Sequence, residues 1–182
     1  MQIEVEKLAL IDEKVYQEVG STLIDLGAED LGENNTKTVF FHPSDARVKV
    51  QVNTSKNSAK IVWKSGGSLQ AHSDREEVEF PFKPEDFEAA VELVSRFLPG
   101  VEYYSPRVQK RHDYVLDDVN VSVKHSDDFG YHIEFDVVVD SNSEVEQALE
   151  KIESVAKKLK VKILSAEEEN EFMREMKSKA PR

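Results

Sequence analysis

Residues 3–8 read Ile3-Glu4-Val5-Glu6-Lys7-Leu8, where apolar and acidic side chains alternate with the period of two that marks a β-strand. The alternation puts Glu4 and Glu6 on one face and Ile3 and Val5 on the other. Later strand-like stretches repeat the split. One set of alternate positions reads Val48, Val50; Ile61, Trp63; Val78, Phe80; Val121, Val123; and Ile133, Phe135, Val137, enough for a core beneath amphipathic helices. The opposite set reads Glu4, Glu6; Arg47, Lys49; Lys60, Lys64; Arg75, Glu77, Glu79; Arg111; Lys124; and Glu134, Asp136. Two arrangements account for that set. In an ordinary antiparallel sheet the charged face lies in water, and opposite charges across strands support each other by a few tenths up to about 1 kcal/mol. In a closed sheet the face lines an interior, where charges persist only if paired or ligated, because an isolated buried ion costs several kcal/mol. Clustered carboxylates there supply hard oxygen ligands for Mg²⁺ or Mn²⁺, and clustered arginines and lysines clamp phosphate.

Outward from the first strand, Asp12 caps a helix whose Val15, Val19, Leu23 and Leu26 follow three-to-four spacing and stop at Gly27. The period then returns to two, with strands at about 36–42, 46–53, 59–65 and 75–82 separated by Pro43-Ser44-Asp45, Ser55-Lys56-Asn57-Ser58 and Ser65-Gly66-Gly67-Ser68. Pro84 opens a second helix with Phe87, Val91, Val94 and Leu98 on one face and Pro99-Gly100 at its end. Three more strands follow at about 101–116, 119–125 and 130–139, the first two joined by a tight turn at Asp117-Asp118. Ser141 with Glu144, and Ser165 with Glu168, read as capping boxes of two terminal helices. The order is α+β with eight strands, a number at which a closed barrel has an interior just wide enough for side chains or one small ligand.

Composition narrows the function classes. A chain of 182 residues, 39% hydrophobic, suits a single domain over 1–182, with sheet in about 1–140 and helices in about 141–178. A formal charge of -12, from 24 basic and 36 acidic residues, argues against nucleic acid or an anionic membrane as partner, so any polyanion needs a locally basic site. The absence of cysteine fits a reducing cytoplasm, and no apolar run approaches the roughly 20 residues of a membrane span. A soluble, cytoplasmic protein is expected. Asp117-Asp118 and Asp127-Asp128 read as turn formers rather than cation sites, and His112, His125 and His132 lack zinc-site spacing.

Six stretches in order resemble the motifs of the CYTH, or triphosphate tunnel, superfamily. Glu4-Val5-Glu6 is similar to its ExExK signature, Arg47-Val48-Lys49 to its basic RxR strand, Ile61-Val62-Trp63-Lys64-Ser65-Gly66 to its TxKG strand, and Arg75-Glu76-Glu77-Val78-Glu79 to its REExE strand. Lys110-Arg111-His112-Asp113-Tyr114 resembles the KRxxY strand, and Phe129-Gly130-Tyr131-His132-Ile133-Glu134-Phe135-Asp136 the LGxFxEIE strand. The resemblance implies a closed eight-stranded antiparallel β-barrel with flanking helices, whose interior binds a small-molecule triphosphate. It implies Mg²⁺ or Mn²⁺ held by Glu4, Glu6, Glu77, Glu79, Glu134 and Asp136, phosphate bound by Arg47, Lys49, Lys64, Arg75 and Arg111, and catalytic roles for Glu4, Glu6 and Arg111. The activity it implies is triphosphate hydrolysis; the alternatives are a class IV adenylyl cyclase making cyclic AMP from ATP, and a non-catalytic triphosphate-binding module. The departures are Leu8 where the signature has lysine, Lys124 where an aspartate is common, and Thr38-Val39-Phe40-Phe41 without the acid of an acidic-aromatic pair. By parity Lys7 belongs to the face opposite Glu4 and Glu6. The stripe of the last helix, with Phe172 and Met176, would cover one mouth of the barrel or pair with a second copy in a homodimer.

Overall fold

The alternation of the first strand ends at Asp12, whose Oδ1 accepts the Val15 amide at 2.8 Å and opens helix α1 (Glu13–Asp25). Gly27, at φ 87, ends that helix in a left-handed turn that a side chain would strain, as the sequence predicts. The computed structural model describes residues 3–44, 46–65, 77–101, 103 and 106–179. They form two compact units, one built from Met1–Glu33 and Lys110–Lys179, the other from Asn34–Gln109.

In the first unit, β1 (Ile3–Leu10) pairs antiparallel with β9 (Gly130–Val139) in unbroken register from Ile3 opposite Val139 to Leu10 opposite His132. Strand β9 pairs with β8 (Val119–Ser126), and β8 with β7 (Arg107–Leu116). One sheet face is covered by α1 and by α3 (Val145–Lys158), so that Val5, Val121, Ile133 and Phe135 pack with Val19, Leu23, Ile152 and Val155. Asp117 and Asp118, at φ 51 and 62, form the two-residue turn that matches strand twist, and their carboxylates are bound by Lys158 at 2.5 Å and Lys151 at 3.2 Å. Both capping boxes form: Ser141 with Glu144 ahead of α3, and Ser165 with Glu168 ahead of α4 (Ala166–Lys179), where Ser165 N donates to Glu168 Oε2 at 2.8 Å.

A strand absent from the sequence expectation, β2 (Glu29–Glu33), pairs with β7. Its sequence Glu29-Asp30-Leu31-Gly32-Glu33 has no apolar alternation, and its place is fixed by polar contacts. Asp30 Oδ1 lies 2.6 Å from His112 Nε2 and accepts the Gly32 amide at 2.7 Å, across a register shift between Asp30 and Gly32.

The second unit contains β3 (Thr36–Phe41), β4 (Ala46–Asn53), β5 (Ser58–Ser65) and β6 (Glu77–Phe82), paired in that order, with Arg107–Gln109 of β7 against β3. Helix α2 (Phe87–Phe97) sets Phe87, Ala90, Val91 and Val94 on Val39, Phe41, Val48 and Val50. Val78 and Phe80, expected in the core, are 54% and 64% exposed, because β6 is an edge strand and α2 packs on β4. Arg75 and the Gly66-Gly67 turn lie outside the described residues.

The α+β class with flanking helices holds, but the closed eight-stranded barrel does not form. Nine strands lie in the open antiparallel order β1-β9-β8-β7-β3-β4-β5-β6, with β2 beside β7, and no pairing joins β1 to β6 among the described residues. Both free edges carry groups that do not suit them to pair. Strand β6 contains Pro81, which has no N–H to offer, and the outward carbonyl of Leu8 on β1 already accepts the Leu164 amide at 2.8 Å. No helix among the described residues is long and apolar enough to cross a membrane.

Candidate functional site

The sheet face of the first unit opposite its helices is a grid fixed by strand register, in which directly paired residues share a face. Across one row Glu6 lies opposite Asp136, and Asp136 opposite Asn120; Glu4 is the next residue of that face on β1, opposite Val138. In the adjoining row Leu8 lies opposite Glu134, Glu134 opposite Ser122, and Ser122 opposite Asp113. The row after that sets His132 opposite Lys124 and Lys124 opposite Arg111. Successive rows are two residues, or about 7 Å, apart. The face therefore grades from acidic to basic along the strands. Lys7 falls on the opposite face, paired with Phe135, and no bulge brings it round, so Leu8, only 6% exposed, takes the place beside the carboxylates.

The charges on this face are not equivalent. Burial first, then the charge of Glu134, pushes the Glu6 carboxyl up to about 7, with Lys124 pulling the other way and Glu4 and Asp136 adding to the rise. Burial also raises Asp136, against the hydrogen bond from Asn120 Nδ2 to Asp136 Oδ2 at 2.7 Å. Glu134 goes the other way: burial raises it, but the Lys124 ammonium, which donates to Glu134 Oε2, holds it below the usual carboxylate range. Lys124 is itself 5% exposed. Arg111 donates from Nε to Asp113 Oδ1 at 2.6 Å.

A divalent cation suits part of this donor set. Glu6 and Asp136 are hard oxygen donors on facing positions, and Mg²⁺ is commonly held by one or two carboxylates together with substrate phosphate. Among the described residues no three carboxylates or histidines gather closely enough to ligate one ion without further donors.

The second unit presents its own polar face. Arg47 lies opposite Lys64, and Lys64 opposite Glu77; Lys49 lies opposite Val62, and Val62 opposite Glu79. Lys60 Nζ pairs with Glu79 Oε1, which commits one expected metal ligand to an ion pair. Phe40, opposite Lys49, carries the Arg107 guanidinium over its ring at 5.1 Å, so the strand lacking the expected acid retains a cation through its aromatic.

Register thus brings Glu4, Glu6, Glu134, Asp136 and Arg111 onto one face of the first unit, and Arg47, Lys49, Lys64 and Glu79 onto one face of the second. Asp113 and Asn120 were not anticipated. Asp113 shares the parity of Arg111 within Lys110-Arg111-His112-Asp113-Tyr114, and Asn120 that of Lys124, so parity sorting extended along β7 and β8 would have found both.

No protein-family model and no curated protein sequence matches the chain. Solved structures do. A conserved hypothetical protein from Pyrococcus furiosus is 27% identical with TM-score 0.69, covering 91% of this chain and 93% of its own. A candidate adenylate cyclase from Vibrio parahaemolyticus is 14% identical with TM-score 0.68 over 97% of this chain and 98% of its own. Another from Bacillus halodurans is 14% identical with TM-score 0.62, over 91% and 94%. The chain shares its fold with these solved structures.

Proposed function

We propose that this protein binds a small-molecule triphosphate and hydrolyses a phosphoanhydride bond with the help of Mg²⁺ or Mn²⁺. The observation that carries the reading is the graded face of the first unit, with Glu6 and Asp136 paired at its acidic end and Lys124 and Arg111 paired at its basic end. Such a face matches a metal-bound polyphosphate, whose cation needs oxygen donors and whose oxygens need cations. Glu6 and Asp136 would hold the ion, and the bound ion would supply charge neutralisation at the reacting phosphoryl group. Arg111 would neutralise phosphate, with Asp113 fixing its guanidinium. On the second unit's own face, Arg47, Lys49 and Lys64 have the chemistry of phosphate ligands. Positioning and electrostatic stabilisation supply most of the catalysis in phosphoryl transfer, so no nucleophilic side chain is required.

Purified protein with Mn²⁺ or Mg²⁺ is expected to release phosphate from at least one of tripolyphosphate, ATP and thiamine triphosphate. Arg111→Ala should lower that rate at least tenfold. Cyclic AMP from ATP instead of phosphate would replace hydrolysis by cyclisation. A second reading, binding without turnover, is favoured by the ion pair between Lys124 and Glu134 on the charged face. Calorimetric triphosphate binding with no product would decide for it.

A further inference from the structure

We propose that Lys124 is a built-in counter-cation that withdraws Glu134 from metal binding, so that the charged face of the first unit takes one divalent ion, held by Glu6 and Asp136, and not two. This rests on the reading of that face as a metal and phosphate site. Three observations support it. Lys124 is 5% exposed, and a buried ammonium persists only with a partner; its Nζ donates to Glu134 Oε2. The residues directly opposite Glu134 bring no second carboxylate: across β1 it faces the buried, apolar Leu8, and across β8 it faces Ser122. A divalent ion on Glu134 would have to lie against a buried ammonium, with Arg111 in register one strand further on adding to the repulsion.

Glu6 and Asp136, by contrast, face each other, and among the described residues neither accepts a hydrogen bond from an ammonium or guanidinium group. Asn120 orients Asp136 without neutralising it. The carboxylates thus differ in contact: Glu134 is hydrogen-bonded to the Lys124 ammonium, whereas the same cation acts on Glu6 and Asp136 only at a distance. Lys124 and Arg111, adjacent across β7 and β8 and each paired with a carboxylate, Glu134 and Asp113, then offer phosphate oxygens two cations that do not depend on metal.

The test uses the full chain with Mn²⁺ alone, counted by equilibrium dialysis and titrated by calorimetry, and then tripolyphosphate in excess EDTA. The wild type is expected to bind one Mn²⁺. Glu134→Gln, which keeps an oxygen acceptor for Lys124, should leave the stoichiometry at one and change affinity less than threefold. Lys124→Met should gain a second Mn²⁺ and lose at least tenfold in tripolyphosphate affinity under EDTA. A melting curve confirms that each variant is folded, and Glu134→Gln carries the test if Lys124→Met is not. Two Mn²⁺ on the wild type, a single Mn²⁺ on folded Lys124→Met, or a tenfold affinity loss in Glu134→Gln would overturn the proposal while leaving the metal site in place. No Mn²⁺ on the wild type or on folded Lys124→Met would overturn the metal site as well.

Discussion

Glu6 holds its proton more tightly in the folded chain than in the unfolded one, its carboxyl rising from 4.5 to about 7 through burial and the charges of Glu134, Glu4 and Asp136. Between those values the folded state binds more protons than the unfolded state, so stability falls as pH rises. The metal-free chain is therefore expected to lose melting temperature from pH 5 to 8, with a slope of up to about 1.4 kcal/mol per pH unit inside that window. Glu6→Gln should flatten the slope; an unchanged slope would locate the crowding elsewhere. Glu134 acts with the opposite sign. Its carboxyl is held low by Lys124, so its contribution is present above 4.5 and is lost as pH falls through its depressed folded value. The faces of Glu4, Glu6, Lys124, Glu134 and Asp136 were readable from parity, since each has at least one apolar neighbour, whereas Arg111 stands between Lys110 and His112. Their partners were not. Which carboxylate Lys124 reaches depends on register between β8 and β9, and a one-residue slip of either strand would have put Lys124 and Glu134 on opposite faces.

Helices and most strands were legible because apolar spacing and capping residues agree locally, as at Asp12 and Ser141. Strand β2 was not, because no apolar face holds it and its anchor, His112, lies 82 residues along the chain. Helix α1 carries a second feature that spacing does not show. Gly20 sits so close to β7 that a methyl group there would meet Tyr114 Oη at 2.8 Å. Alanine would gain about 1 kcal/mol in helix propensity, but the 6% exposed Tyr114 has little room to move, and the net effect expected is a loss of about 1–2 kcal/mol. Urea denaturation of Gly20→Ala measures it. Combining it with Tyr114→Phe, whose nearest ring atom would stand 3.7 Å from the new methyl, should recover the propensity gain; a double variant no better than the single one would show that α1 itself is the obstacle.

At the scale of the molecule, the strand count pointed to closure, and among the described residues no pairing joins β1 to β6. Counting strands tests whether a barrel can close, whereas closure itself depends on two edges finding each other. Here Pro81 denies β6 one donor, and the segment after α3 takes up an outward carbonyl of β1. Chain connectivity carries a further consequence, for the order of folding. The second unit is one uninterrupted stretch, Asn34–Gln109, whose strands pair with sequence neighbours, whereas the first unit is split and its β1 must wait for β9, with Ile3 paired to Val139. Short loops close fast and long ones slowly. During synthesis the second unit can therefore fold while the first strand of the chain is still unpartnered, leaving Glu4, Glu6 and the β1 edge open to solvent until most of the chain has been made. Pulse-labelled hydrogen exchange during refolding should show amides of β4 and β5 protected before those of β1 and β9. Simultaneous protection would mean that the interrupted unit and its insertion fold as one cooperative step.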